Sequence, residues 1–338
     1  MVTIKDVAKL AGVSTATVSY VTSGNRFVSP ELSERVKRAI KEFNYQPNAV
    51  AKSLKLNKTS TIGVVVSDIQ DPFFSIVVKG VRDYCQKKKY GLILGDNYES
   101  PTRSQSNLDL LLEKRLDGFI IAPIGLQPKE IDSVRNSNVP FVLINRRYPH
   151  VNDPYVIVEN QLASYQIVRH VIELGHRSIA IICGPRGYST TQERLAGYQN
   201  AMEEARIQVA KKFLYFCKPD IQSARETTLE LLRQRTLPTA IFATNNMITI
   251  GVLLALRERK LKIPDEMSLV CFSFAEFPWT QVIDPPLTVV NQPAYMVGWE
   301  AAKMIYSKIH NTPCDNHMVL KCSIVKRGSA APLLKHSI

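Results

Sequence analysis

Apolar residues recur at Ile4, Val7, Ala8 and Ala11, the i, i+3, i+4, i+7 spacing of one buried helical face. Gly12 breaks that helix, and Ser14 stands where an N-cap would start the next, whose buried side carries Val18 and Val21. Thr15, Ala16, Thr17, Ser19 and Tyr20 are left for other surfaces. Two short helices about such a turn read as a helix-turn-helix, whose second helix enters the DNA major groove, although an ordinary helical hairpin has the same spacing. A third amphipathic helix is expected over 31–43 behind Ser29 and Pro30. Its inward side carries Leu32, Val36, Ala39, Ile40 and Phe43, and its outward side Lys37, Arg38 and Lys41. From Ser60 the period changes. Short apolar runs at 61–67, 90–94, 118–122 and 141–144 alternate with helical spacing at 80–89, 108–114 and 130–136. The alternation then restarts, with strands at 178–183, 213–216, 240–242 and 268–272 and helices at 162–174, 193–205, 223–233 and 248–259. Continuous apolar strands separated by helices imply parallel sheets built from right-handed βαβ units. Two such units in succession make a two-lobed α/β protein with a cleft between the lobes.

Charge changes this picture at one end of the chain. The 338 residues carry a formal net charge of +13, and residues 1–58 hold ten Lys or Arg against four acids. A local excess of +6 suits a phosphate-backbone partner. The six cysteines show no CxxC pairing and no nearby His ladder, so reduced structural thiols are expected and no metal site is. No apolar run approaches the roughly 18 residues of a membrane span, and no signal peptide is evident, which points to the cytoplasm. GxGxxG, Walker-loop and GxSxG patterns are absent, so neither a catalytic constellation nor a cofactor is expected.

The string IKDVAKLAGVSTATVSYV, followed by YQPNAVAKSL at 45–54, resembles the N-terminus of the LacI/GalR family of bacterial transcription regulators. Further landmarks are Asp71-Pro-Phe-Phe74, Arg115-Leu-Asp-Gly118, Leu174-Gly-His-Arg177, Arg194-Leu-Ala-Gly-Tyr198, Pro285-Pro-Leu-Thr288 and Val325-Lys-Arg-Gly-Ser329. The resemblance implies an N-terminal all-α helix-turn-helix domain (1–46) and a hinge segment (47–59). A periplasmic-binding-protein-like domain (60–338) of two parallel-sheet, Rossmann-like subdomains follows. The first subdomain would comprise 60–160 and 291–320, the second 161–290 and 321–338. It implies a repressor that binds a double-stranded operator as a homodimer and answers to a small-molecule effector, with no membrane partner. A solute-binding or sensor protein of the same fold, or a regulator controlled by a protein coregulator, is the alternative.

By the same resemblance Thr15, Ala16, Tyr20 and Arg26 occupy base-reading positions, and Thr17 meets phosphate or caps locally. Leu54 would be an apolar wedge in the minor groove with Lys55 beside it. Leu54→Ala is therefore expected to weaken operator binding while leaving effector binding intact; equal loss of both, by DNA retention and calorimetry, would count against the hinge role. The implied effector residues are Phe73, Phe74, Asn145, Arg146, Thr190, Arg194, Asn245 and Ser273. Sugar- and purine-responsive members carry an Asp after the fourth strand of the second lobe. Here counting from one side puts Ser273 at that place and from the other Ala275, leaving Glu276 as the one displaced carboxylate. With Arg146, Arg147 and Arg194 at the rim, the cleft is expected to be basic. The effector would then be a sugar acid or sugar phosphate, or classical sugar binding would be weak or absent. Effector-driven lobe closure would change the spacing of the hinge segments, a coupling of about 1–3 kcal/mol.

Overall fold

The computed structural model describes residues 2–24, 26–45, 58–124 and 127–333. They fall into two compact units, Met1–Thr59 and Ser60–Ile338.

In the first unit, α1 (Ile4–Ala11), α2 (Thr15–Ser23) and α3 (Pro30–Glu42) enclose Val7, Ala8, Ala11, Val18, Val36 and Ala39. Phe43, expected inside, is the C-cap of α3 and stays 36% exposed, while Tyr45 packs on the core instead. The helix ends one residue too soon for Phe43 to continue the buried stripe. Gly12 turns the chain at φ +62°, and Arg35 Nη2 reaches back from α3 to donate to Ala11 O at 2.8 Å and Gly12 O at 3.3 Å. A Cβ on Gly12 would lie 2.5 Å from that Nη2. Gly12→Ala is expected to cost about 1–2 kcal/mol, because it combines left-handed backbone strain with the displaced Arg35. A denaturant melt showing no loss would refute this.

The second unit holds two six-stranded sheets. The first comprises β1 (Thr61–Val66), β2 (Gly91–Asp96), β3 (Gly118–Ile121), β4 (Phe141–Ile144), β5 (Tyr155–Val158) and β11 (His317–Leu320), in the order β11-β5-β4-β3-β1-β2, all parallel. The second comprises β6 (Ile179–Cys183), β7 (Leu214–Phe216), β8 (Ala240–Ala243), β9 (Ser268–Ser273), β10 (Thr288–Asn291) and β12 (Ser323–Val325), in the order β12-β10-β9-β8-β6-β7. Only β12 runs antiparallel, against β10. Both faces of each sheet are covered by helices, so β1, β3 and β6 are buried almost end to end and read as unbroken apolar runs. Helices α4 (Pro72–Lys87), α5 (Pro101–Glu113) and α6 (Asp132–Asn136) belong to the first lobe, and α7 (Asn160–Glu173), α8 (Ser189–Glu204), α9 (Ile221–Leu231), α10 (Asn246–Glu258) and α11 (Pro278–Val282) follow. The long α12 (Ala294–Ile309) returns to pack on α4.

The chain thus passes between sheets after β5, after β10 and after β11. The strands β5, β10, β11 and β12 and helix α12 are not among the elements read from the periodicity above. They are the returning pieces: the strands are three or four residues long and lie at or beside a sheet edge. The signal of α12 was present as burial at Ala294, Val297, Gly298, Ala301, Ala302 and Ile305. None of the described helices is long and apolar enough to cross a membrane.

Candidate functional site

In the first unit the candidate surface is the start of α2. Ser14 Oγ accepts from Thr17 N–H at 3.1 Å and lies 3.0 Å from Thr17 Oγ1, so Thr17 serves the cap. That leaves Thr15 and Ala16 exposed on the first turn. One turn on, half-buried Tyr20 is covered by exposed Arg26, whose Cζ lies 5.3 Å from the ring centroid and whose Nη1 donates to Tyr20 Oη at 3.4 Å. A methyl, a hydroxyl and a guanidinium fork on one face are the groups with which a helix reads base edges. Leu54 and Lys55 lie outside the described residues.

In the second unit both sheets have the doubly wound order in which ligands bind outside the carboxyl ends of the strands. The cleft is lined by such ends. Asp68 and Asp71 follow β1, Glu99 follows β2, and Asn145 and Arg146 follow β4. Across from them, Gly184 and Tyr188 follow β6, Thr244, Asn245 and Asn246 follow β8, and Gln292 follows β10. Phe73 and Phe74 come from the first turn of α4 and meet edge to face, with centroids 5.2 Å apart at 81°. Thr190, Thr191 and Arg194 come from the first two turns of α8. Of the eight residues expected to meet an effector, the structure brings Phe73, Phe74, Asn145, Arg146, Thr190, Arg194 and Asn245 to one cleft.

Each charged group there has a definite partner. Asn145 adopts φ 64°, a left-handed conformation that Asn tolerates, and turns the chain so that Arg146 points inward. Arg146 makes a two-pronged pair with Glu99, Nη2 to Oε1 at 2.6 Å and Nη1 to Oε2 at 3.0 Å, and Nη1 also donates to Pro123 O at 3.1 Å. Burial works against this guanidinium, but Glu99 more than offsets it and holds the group protonated above its ordinary range. Arg146 Nε is buried with no acceptor among the described residues. Arg194, only 6% exposed, lies with Cζ 3.7 Å from the Phe272 centroid and donates through Nε to Asn160 Oδ1 at 2.9 Å. It also donates to Thr244 O and, at 3.4 Å, to Gln292 Oε1. Burial pulls it down to about 10, still fully charged at neutral pH. Asp71 Oδ1 accepts from Phe73 N–H at 2.9 Å and Asn246 Nδ2 at 2.7 Å, and burial raises its pKa.

Three expectations change here. Ser273 is not a cleft residue: it is fully buried beneath it and donates to Asn246 Oδ1 at 2.7 Å. Glu276 is exposed at the start of the following turn and supplies no carboxylate to the cleft. The rim is not basic either. Arg146 is paired with Glu99, Arg147 with Glu193, and Asp68, Asp71 and Glu99 outnumber the two guanidiniums lining the cleft. The acids went unread because they stand just after strands of the first lobe, where the sequence shows only a polar turn. Asp71 is also an N-cap, which gives it a local structural reason to be present.

Comparison with known proteins places these features among relatives. Residues 3–48 match the bacterial regulatory proteins of the lacI family, and residues 59–327 the periplasmic binding proteins and sugar binding domain of the LacI family. The ribose operon repressor of Haemophilus influenzae is 35% identical over 331 residues, 97% of this chain and 98% of that protein. The HTH-type transcriptional repressor PurR of the same species is 34% identical over 310 residues, 91% of each chain. Among solved structures, the lac repressor dimer bound to operator and the anti-inducer ONPF superposes with a TM-score of 0.87 at 25% identity, covering 98% of this chain and 99% of the other. A LacI family regulator from Enterococcus faecium with bound ribose gives a TM-score of 0.72 at 27% identity, covering 81% and 100%.

Proposed function

Since the chain belongs to the LacI family of bacterial regulatory proteins and is a DNA-binding repressor with a small-molecule effector, we propose that its effector is a neutral sugar of pentose size. The observation that carries this reading is the balance of the cleft: three carboxylates and two guanidiniums, already largely paired, beside the aromatic walls of Phe73 and Phe74. Sugar hydroxyls donate to carboxylates and accept from guanidiniums, so a polyol can satisfy both kinds of group. An anion would face an excess of acids. The unmatched Arg146 Nε is a donor ready for one such hydroxyl. Two relatives support the size: one is named for the ribose operon, and one binds ribose in its solved structure. The sugar is bound and not turned over, and the protein acts in the cytoplasm.

On the DNA side the reading is a homodimer on a pseudo-palindromic operator, with Thr15, Ala16, Tyr20 and Arg26 at the bases and Thr17 holding the cap. The dimer is supported by the lac repressor dimer and by the exposed edge strand β2, which presents Ile93 and Leu94 with Leu110 nearby in the same lobe. The test is operator binding by fluorescence anisotropy with D-ribose, ribose 5-phosphate, gluconate and hypoxanthine as additions. A neutral sugar should change operator affinity at least about fivefold, within the usual range of allosteric coupling. A response confined to the acidic compounds or the purine would overturn the neutral-sugar reading.

A further inference from the structure

The turn after β2 carries two consecutive non-glycine residues in the left-handed region, Tyr98 at φ 50° and Glu99 at φ 51°. Such backbone is disfavoured for these residues and persists only where surrounding contacts impose it. The contacts here converge on Glu99. Its N–H donates to Ser67 O at 2.7 Å, and its carboxylate is held by both terminal nitrogens of Arg146. Tyr188, which belongs to the other lobe, donates to Glu99 Oε2 at 3.0 Å, and its ring centroid lies 3.9 Å from Arg146 Cζ. Glu99 is therefore more than a counter-charge for Arg146. It spans the cleft from one lobe to the other.

Space gives the second argument. The cavity remaining beside this cluster is about 40 Å³. An engineered cavity of roughly 150 Å³ is what admits a benzene ring, and a pentose is larger than benzene. A pentose does not fit while the lining groups, Glu99, Arg146 and Tyr188 among them, keep these positions. The cluster is also incompletely satisfied, because Arg146 Nε has no acceptor among the described residues. A polyol that accepts from Nε as well as from the terminal nitrogens can offer Arg146 one partner more than Glu99 does.

We propose that Glu99 is a built-in occupant of the effector cleft, holding Arg146 and Tyr188 together across the lobes until effector hydroxyls displace it. The identity of the displacing ligand rests on the neutral-sugar reading above; the latch itself does not. A second bridge, Asn246 Nδ2 to Asp71 Oδ1 at 2.7 Å, is independent of Glu99, so release of the latch loosens the lobes without parting them.

Hydrogen–deuterium exchange on the full-length, ligand-free protein tests the latch. In Glu99→Gln, which keeps the side-chain volume, and in Tyr188→Phe, which removes only the cross-lobe hydroxyl, the segment facing Glu99 (184–191) should exchange at least about threefold faster than in the wild type. A merely local role for Glu99 would alter 97–100 and leave the opposite lobe alone. Unchanged exchange at 184–191 in both variants overturns the proposal. Titration with D-ribose then separates the two ideas. If removing the internal competitor tightens apparent ribose affinity at least about threefold, both stand. Faster exchange with no ribose binding by any variant keeps the latch and rejects the pentose.

Discussion

Arg194→Ala is expected to abolish the effector response, lowering effector affinity by at least about a hundredfold, while ligand-free operator binding stays within about threefold of the wild type. The reason is geometric. Arg194 is buried over Phe272 and serves three acceptors: Asn160 at the start of α7, two residues past β5, Gln292 directly after β10, and Thr244 directly after β8. Asn160 and Gln292 sit on two of the passages between the lobes, so one guanidinium fixes both the cleft wall and the hinge beside it. Removing it leaves Asn160 Oδ1 and Thr244 O short of a charged donor; hydrogen bonds to a charged group are each worth about 1.5–3 kcal/mol. A stability loss of about 3–5 kcal/mol should therefore accompany the loss of binding. Arg194→Lys should rescue little, because a single ammonium cannot reproduce the planar fork that meets three acceptors. Calorimetry with the effector and urea unfolding of the same preparation check both parts. Effector affinity within tenfold of the wild type in a folded Arg194→Ala would reduce Arg194 to framework.

Gly298→Ala is expected to destabilise the first lobe by about 3 kcal/mol or more, through overpacking that no rotamer change can relieve. A Cβ on Gly298 would stand 1.9 Å from Val77 O, and one on Gly80 would stand 2.1 Å from Tyr295 O. The obstructing atoms are backbone carbonyls, so α12 and α4 would have to separate as whole helices. Those two helices pack closely on each other, α12 beneath β3 and β4 and α4 beneath β2, and their Val77, Val81, Val297 and Ile305 join the main core. For a domain of this size the loss corresponds to a fall of roughly 6–12 °C in melting temperature. Gly95→Ala is the control: its Cβ would meet Leu111 Cδ1 and Val65 Cγ2 at an ordinary 3.5 Å. That variant should stay within about 1 kcal/mol of the wild type. Equal melts for the two variants would show that the helix crossing tolerates a methyl group.

Local patterns made much of the molecule legible before any coordinates. The three N-terminal helices follow from caps and spacing: Ser14 and Ser29 do cap, and Gly12 does turn in the left-handed region. The buried strands of both lobes are legible because helices cover both faces, which forces near-continuous apolar runs. Phe43 misled because amphipathic spacing does not show where a helix stops. The strands β5, β10, β11 and β12 went unread because they fall outside the strand–helix alternation: β5 and β12 each follow another strand with no helix between, β10 follows a helix of only five residues, and β11 is a half-exposed edge strand.

The cleft divides along the same line. The sequence by itself, through its resemblance to the LacI/GalR family, brought Phe73, Phe74, Asn145, Arg146, Thr190, Arg194 and Asn245 into consideration. It could not show their electrostatic state, because a guanidinium's effective charge toward a ligand depends on what faces it. Glu99 lies 47 residues from Arg146 in the chain and Tyr188 lies 89 residues from Glu99, yet all three share one cluster. A count of cationic residues along the chain therefore reads basic, whereas in the folded cleft Arg146 is neutralised by Glu99 and further carboxyl groups stand beside it. Ser273 shows the same limit at short range: its place at the end of β9 does not reveal that its side chain is buried and held to Asn246. Local chemistry is written residue by residue along the chain. Pairing across sheets and lobes is decided by tertiary contacts alone, and here it sets the sign of the site.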